Sequence, residues 1–345
     1  MPSLPLIAIL LSAVATALHA TPVGAAEPAA TYFGGALGGE LWYADWSSEN
    51  QWSKEGVDIE YDIEPSFIQG YHTAFVRYAG RHHTTALALN YLTSKLSKDT
   101  PAADPHENGD GKETYRQIQA LLDQRIGNGY VHCQVMRAEF DGTVRITSGG
   151  NAFDPAKGDR FPVKTQWFKA DTLYLKEVGE ALGGIGLRYI SYNKPEATSR
   201  FVAGGPGDGL TTGGDLVAGE ILETTYRGYY LLFGILDKSY LGIPTEMPAF
   251  FDALFYLGVA TAKNDVLEDH DGFGGGVEAS LGLKHSYRFL GDRGKLTLRA
   301  GYRVLYNKIG NSQKEGTDEH GNEVFRVTET IDTWHGPFAG LTLSF

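Results

Sequence analysis

The sequence predicts an all-β fold, a membrane-spanning antiparallel barrel of about 12 strands (range about 10–14). Two observations predict it. Apolar and polar residues alternate over as many as about 17 residues, whereas strands of soluble proteins usually have about 5–6. Beyond the N-terminus, no apolar segment is long enough to cross a membrane as a helix. A membrane protein without such helices must satisfy its backbone hydrogen bonds in a closed sheet.

The first 26 residues have the pattern of a signal peptide. Residues 4–18 form an apolar run with the length of a signal core, too short for a spanning helix. Small residues follow, so we expect cleavage after Ala26, with Ala20 as the other candidate position. The leader lacks the usual Lys or Arg, and a retained apolar anchor is the alternative interpretation. Cleavage after Ala26 leaves residues 27–345 as one barrel domain.

The clearest strands lie near the C-terminus. Odd positions in 273–289 are apolar or aromatic, and even positions are small or charged. After a turn at 291–294, even positions in 296–306 are apolar, and odd positions include Arg299 and Arg303. Lipid on one face and water on the other explain this alternation. A soluble β-sandwich or lipocalin-like periplasmic protein is the alternative, because its strands also alternate.

Weaker patterns complete the predicted strand set. Further strands are predicted at 33–43, 67–80, 84–95, 129–140, 143–148, 161–175, 185–189, 222–232 and 249–262, with a last strand ending at Phe345. Long connections, such as 46–64 and 96–128, then alternate with short ones, such as Asp141-Gly142. We expect the long connections on the external side. Within one of them, residues 113–126 have apolar side chains at helical spacing, which predicts a short helix or a loop with nascent helix.

The C-terminal residues Leu341, Leu343 and Phe345 alternate with Thr342 and Ser344. This ending resembles the closing strand of Gram-negative outer-membrane β-barrel proteins, in which a terminal Phe is commonly part of the assembly signal. The resemblance covers the overall pattern and matches no specific member. It implies a location in the cell outer membrane, folding by the barrel-assembly machinery, and contact with outer-membrane lipids and lipopolysaccharide.

Composition narrows the function. The formal net charge is −12 and the pI is about 5.3, which argues against nucleic acid as a partner. The single cysteine, Cys133, cannot form an intramolecular disulfide. We expect no cofactor and no metal, because neither the acidic loops nor the His82-His83 pair forms a complete ligand set.

Charged residues on the water-facing sides of the strands are the predicted pore lining, namely Glu40, Arg188, Arg227, Glu278, Arg299 and Arg303. These charges either form ion pairs that fill the bore or leave an excess of Arg that favours anions. The predicted function is a porin-like channel for small polar solutes, with anions as one candidate class. The alternative is a non-conducting structural or adhesion barrel.

An enzyme is the weaker alternative. Asp269 and Asp271, followed by Asp318 and His320, are similar in order to the paired acidic and imidazole residues of omptin-like proteases. The flanking sequences differ from that family, and the pairs fall in predicted loop tips, where rigid positioning is poor. No catalytic residue is therefore assigned.

Overall fold

A computed structural model describes residues 33–54, 57–65, 71–80, 85–97, 112–149, 160–197, 221–241, 247–264, 270–289, 294–317 and 323–344. The predicted signal peptide, residues 1–26, lies outside these ranges, and so does Phe345. The assignment of 27–345 to one barrel domain stays a prediction.

The described residues form fourteen strands and one short 3-10 turn, Lys238–Leu241. The strands are β1 (Phe33–Trp42), β2 (Asp45–Lys54), β3 (Val57–Pro65), β4 (Tyr71–Gly80), β5 (Thr85–Ser97), β6 (Lys112–Ile126), β7 (Gly129–Gly149), β8 (Arg160–Val178), β9 (Ala181–Ala197), β10 (Ile221–Asp237), β11 (Ala249–Asn264), β12 (His270–Phe289), β13 (Gly294–Thr317) and β14 (Glu323–Ser344). No helix among the described residues is long and apolar enough to cross a membrane.

Twelve of these strands close into a ring. Its order is β1, β4, β5 and so on in sequence to β14, which pairs again with β1, and every pairing is antiparallel. Strands β2 and β3 lie beyond one end of the ring, between the far ends of β14 and β7. The prediction of an antiparallel barrel with about 12 strands is confirmed. Closure leaves no strand edge of the ring unpaired, as a sheet in hydrocarbon requires.

Between β1 and β2 the chain kinks, and the kink packs against β14. Tyr43 N donates a hydrogen bond to Pro337 O at 2.9 Å, and the Trp42 indole donates to Gly336 O at 3.2 Å. A Cβ atom at Gly336 would lie 1.5 Å from the Tyr43 carbonyl oxygen. Glycine is therefore required at position 336 for the kink to contact β14 so closely.

Residues 113–126 are a strand, so the prediction of a helix or loop there is wrong. Strand β6 pairs along its length with β5 and β7. Its side chains alternate in exposure, with Ile118 exposed at 55% on the outer face and Asp123 buried on the inner face. The apolar residues fit both the helical period and the strand period. Pairing with β5 and β7 favours the strand, because it satisfies the backbone hydrogen bonds of β6 in the membrane.

Two predicted connections are also strands. The turn predicted at Asp141-Gly142 lies within β7, where these residues pair with Lys164 and Val163 of β8. The loop predicted at 46–64 contains the β2–β3 hairpin. In the ring, β6 was missed and β7 was divided in two, so these errors cancel in its count of twelve, and β2 and β3 were missed as well.

An apolar belt surrounds the barrel. Outward side chains are large, apolar and exposed, for example Leu187 at 63%, Leu257 at 60% and Leu283 at 67%. On three adjacent strands, the rings of Phe168, Tyr189 and Tyr229 form a row with centroids 6.1 and 5.0 Å apart. A closed sheet with an apolar exterior and an aromatic girdle is a membrane-spanning β-barrel.

Candidate functional site

The inner faces of the strands form the candidate site, because they line the bore through which a solute would pass. Side chains from different strands meet inside the bore at three levels, which we name the charge layer, the aromatic layer and the cross-bore turn. The cross-bore turn lies near the end where β6–β7 and β8–β9 join through the two-residue turns Gly127-Asn128 and Gly179-Glu180. We call this the short-turn end, and in outer-membrane barrels the short turns face the periplasm.

The charge layer contains Lys169, Asp171, Arg188 and Glu278. Arg188 donates two hydrogen bonds to Asp171, at 2.9 and 2.8 Å, and one to Glu278 Oε1 at 2.7 Å. Lys169 Nζ donates to both oxygens of Glu278, at 2.9 and 3.1 Å. Glu278 belongs to β12 and Arg188 to β9, with two strands between them, so these bonds pass through the interior of the bore over one side of the ring.

The local structure explains how Arg188 is held. Asp171 and Arg188 are register partners on β8 and β9, and both face inward. The Arg188 side chain has no solvent exposure, and its guanidinium lies 4.4 Å from the centroid of the Tyr256 ring. Two carboxylates and an aromatic face therefore replace the water that the buried charge has lost.

Three further ion pairs lie in the bore, all involving inward residues of β12 or β13. They are Lys284 with Asp237 at 2.5 Å, Arg299 with Asp252 at 3.3 Å and Arg303 with Glu40 at 2.7 Å. Together with the charge layer, these ion pairs join five cations (Lys169, Arg188, Lys284, Arg299 and Arg303) to five carboxylates (Glu40, Asp171, Asp237, Asp252 and Glu278). The ion-paired network is therefore electrically balanced.

The aromatic layer lies further from the short-turn end. Trp334 of β14 stacks on Trp46 of β2 at 5.1 Å and meets Trp167 of β8 edge-on at 5.6 Å. Trp46 also contacts Phe140 of β7 at 5.7 Å and donates its indole hydrogen bond to Asp332 at 3.2 Å. At least three strands separate β8 from β14 in either direction around the sheet. Contact between these rings therefore bridges the bore.

The cross-bore turn is the segment Lys238–Leu241 between β10 and β11. Its Tyr240 ring packs edge-on against His132 of β7 at a centroid distance of 5.3 Å, and the Tyr240 hydroxyl lies 3.5 Å from His132 Nε2. His132 Nδ1 lies 2.5 Å from Asp123 Oδ1. Burial, followed by the nearby carboxylates of Glu278 and Asp171, raises the pKa of the Tyr240 phenol, so this hydroxyl stays neutral.

The structure brings together most of the residues predicted to line the pore. Glu40, Arg188, Glu278, Arg299 and Arg303 lie on the inner face, each in an ion pair. Glu278 pairs with Arg188 and Lys169 across the bore, although its strand is directly paired with that of Arg299.

Arg227 is on the outer face and exposed, so its predicted place in the pore is wrong. Both faces of β10 are apolar, and the face bearing Tyr226, Tyr230 and Leu232 packs inside the barrel. Alternation alone cannot orient a strand whose inner face is also a packed core.

Sequence reasoning missed several residues of the site, namely Asp123, His132, Lys169, Asp171, Asp237, Tyr240 and Asp252. A signal existed for two of them, because Lys169 and Asp171 are charged, two positions apart and on one face of the predicted strand 161–175. The cross-bore partners gave no such signal, since their separation in sequence follows no short-range rule.

The residues considered for a hydrolase are not brought together in the described part of the chain. Asp271 is exposed on β12, while Asp269, Asp318 and His320 lie outside the described residues. His82 and His83 lie outside them too. Among the residues that the structure describes, no group of three or more His, Cys, Asp or Glu side chains is arranged to hold a metal ion.

The structure describes two of the three predicted assembly residues, Leu341 and Leu343. Leu341 is exposed on the outer face of β14, and Leu343 occupies the next outward position. Their role in assembly stays a prediction.

Comparison with known proteins gives structural neighbours of one class. No protein-family model matches the sequence, and no curated protein matches it. The fold is similar to a FadL homologue of Pseudomonas aeruginosa (TM-score 0.40, 13% identity, 91% of this chain and 90% of that chain covered). It is also similar to the translocator domain of the autotransporter NalP from Neisseria meningitidis (0.37, 11%, 96% and 95%) and to the toluene transporter TodX of Pseudomonas putida (0.33, 9%, 94% and 90%).

These scores and identities do not establish a shared function. The class of the protein follows from its own architecture, which is a closed antiparallel ring with an apolar outer belt, aromatic girdle and charged inner face. The chain is a membrane-spanning β-barrel of the outer-membrane type.

Proposed function

We propose that the protein is a channel that is closed in the state described here and opens to pass small solutes. The observation that carries this proposal is the wholly buried Arg188, held between two carboxylates in the middle of the bore. Buried ion pairs are costly to desolvate, and apolar residues of similar volume fill a static core at least as stably. An ionic closure rehydrates easily when it separates, which suits a bore that opens.

Small polar solutes remain the proposed cargo, because separation of the charge layer exposes carboxylates, guanidinium groups and amines to the passing molecule. A preference for anions has little support. It would require an excess of cations, whereas the ion-paired network balances five cations with five carboxylates, and Asp123 and Asp332 are further inward carboxylates. We therefore expect an open bore without a preference for anions.

Planar-bilayer recording tests the proposal. The wild-type protein should be closed for most of the time but open at intervals, and the double variant Arg188→Met/Asp171→Leu, whose apolar side chains do not rehydrate when they separate, should open less often. Lys176→Gln is the matched control, because Lys176 is exposed on β8 near the short-turn end, outside the bore. Reversal potentials in salt gradients report the selectivity. Strong anion preference would contradict the balanced network.

A non-conducting structural barrel is the second candidate, and the same sealed bore favours it. The two candidates differ in one outcome. If the wild-type protein, the charge-layer variant and the control all lack conductance over the full range of applied voltage, although each inserts in a folded form, the channel proposal is wrong and the structural role is supported.

A further inference from the structure

We propose that the cross-bore turn, Lys238–Leu241, is a movable gate at the short-turn end of the bore, and that Tyr240 on His132 is its latch. The inference rests on the proposed channel function for its biological purpose. As a statement about which segment moves, it can be tested without any conductance.

The first argument is the reach of the turn. Tyr240 contacts His132 of β7, Lys238 Nζ lies 3.2 Å from Glu177 of β8, and Ser239 Oγ accepts a hydrogen bond from Lys284 of β12 at 3.4 Å. In the ring, β7 and β12 are five strands apart, close to the six that would place them opposite each other. A connection that joins neighbouring strands β10 and β11 has no need to extend so far for chain geometry alone.

The second argument is how the turn is held. It takes no part in the sheet, whose ladder fixes every wall strand on two sides. Its attachments in the described part of the chain include the side-chain contacts above, the Ser239 N–H that donates to Asp237 at 2.8 Å, and Leu241 and Tyr240, which pack in and against the interior cluster. Side-chain contacts of this kind can break while the surrounding ladder stays intact.

The third argument is the support behind the latch. Asp123 and His132 are register partners on β6 and β7 and are both buried, so the carboxylate fixes the imidazole from behind. Tyr130 likewise donates to Glu177 at 3.1 Å, beside the Lys238 contact. Strands β7 and β8 are adjacent, and they thus offer the cross-bore turn two positioned hydrogen-bond acceptors, His132 and Glu177.

Cysteine labelling tests whether the turn moves. The reporter is Ser280→Cys in a Cys133→Ala background, since Ser280 is buried on the inner face of β12 and Cys133 is the only natural cysteine. A small water-soluble thiol reagent should label the reporter slowly in the wild-type turn. Tyr240→Ala should raise the labelling rate about fivefold or more, and Tyr240→Phe, which keeps the ring and removes the hydroxyl, should raise it less.

Two controls separate gate opening from general loosening. Glu180→Ala changes an exposed residue in the Gly179-Glu180 turn at the same end, and it should leave the rate unchanged. A second reporter, Thr165→Cys, is buried on the inner face of β8 in the half of the strand that carries the aromatic layer. Its rate should not respond to Tyr240→Ala if only the turn has opened.

The labelling results distinguish failure of the gate from failure of the channel proposal. An unchanged rate at position 280 in Tyr240→Ala, or an equal rise at positions 280 and 165, overturns the gate. A selective rise at position 280 supports it. If that rise occurs and no variant conducts, the movable turn is retained and the channel proposal fails. If the wild-type protein conducts steadily while position 280 stays protected, the gate fails and the channel proposal is retained.

Discussion

Replacement of Arg188 by Met tests whether the charge layer is sealed. The variant removes two hydrogen bonds to Asp171 and one to Glu278, and Met has no charge to replace them. Glu278 keeps Lys169, whereas Asp171 loses its ion pair with Arg188 in the bore. Loss of one partner from a buried pair costs about 3–5 kcal/mol because the other charge stays buried, so we expect a loss of this size in unfolding free energy.

The double variant Arg188→Met/Asp171→Leu provides the internal comparison. It removes both partners, and replacement of a buried pair by apolar side chains is often neutral or stabilising. We therefore expect it to recover most of the loss, to within about 1 kcal/mol of the wild-type protein. Urea unfolding in lipid vesicles, followed by tryptophan fluorescence, measures all three proteins. A single variant that costs less than about 1 kcal/mol would show that water reaches Asp171 and would refute the sealed bore.

Three further predictions test the barrel itself. Leu281→Arg, in the outer belt, should cost about 2–4 kcal/mol of unfolding free energy in vesicles, and Thr261→Arg, in a polar outward position of β11, about 0–1; equal costs would mean that the belt is misplaced. Gly276→Ala should destabilise the folded barrel by about 1–3 kcal/mol in the same assay, because its Cβ would lie 2.2 Å from Tyr306 O; a neutral result would contradict the close strand packing. Ala120→Pro should reduce the folded fraction on a heat-modifiability gel, since it removes a ladder donor from β6, and no effect would favour a loop there.

The strands near the C-terminus were predictable because their two faces differ in polarity. On β12, outward Leu281 and Leu283 alternate with inward Glu278, Ser280 and Lys284. Lipid and a charged bore act on opposite faces, so the period of two is visible in the sequence alone. The outward positions near the end of β14 follow from the same regularity, whereas the count of ring strands agreed because two errors cancelled.

Strand β6 was not predictable by this reasoning, because its apolar residues satisfy two periods at once. Ile118, Leu121 and Leu122 occupy one helical face, and Ile118 and Leu122 also share the outer face of a strand. The decision comes from β5 and β7, which satisfy the backbone of β6 on both sides. Pairing between strands is tertiary information and overrides local propensity.

Only part of the candidate site was predictable from the sequence, because the two sides of the bore carry different kinds of inward residues. Inward residues of β8 to β11 include many large apolar or aromatic side chains, as in the interior cluster that contains Leu173, Tyr230 and Tyr256. Inward residues of β12 are small or charged, and Gly276 leaves the space that the Tyr256 hydroxyl occupies, 2.3 Å from where a Cβ would be.

In the proposed channel, this asymmetry determines which side chains must move when the bore opens. Large side chains from β10 and β11 rest in the glycine positions of β12, and Arg188 and Lys169 reach Glu278 on that same strand. Aromatic rings and ion pairs therefore close the bore against one narrow strip of wall. Opening requires these side chains to withdraw from β12, and the cross-bore turn, which Lys284 of β12 also contacts, blocks the path beneath them. Movement of the turn is the step that makes room, because the sheet on both sides is fixed by its ladders.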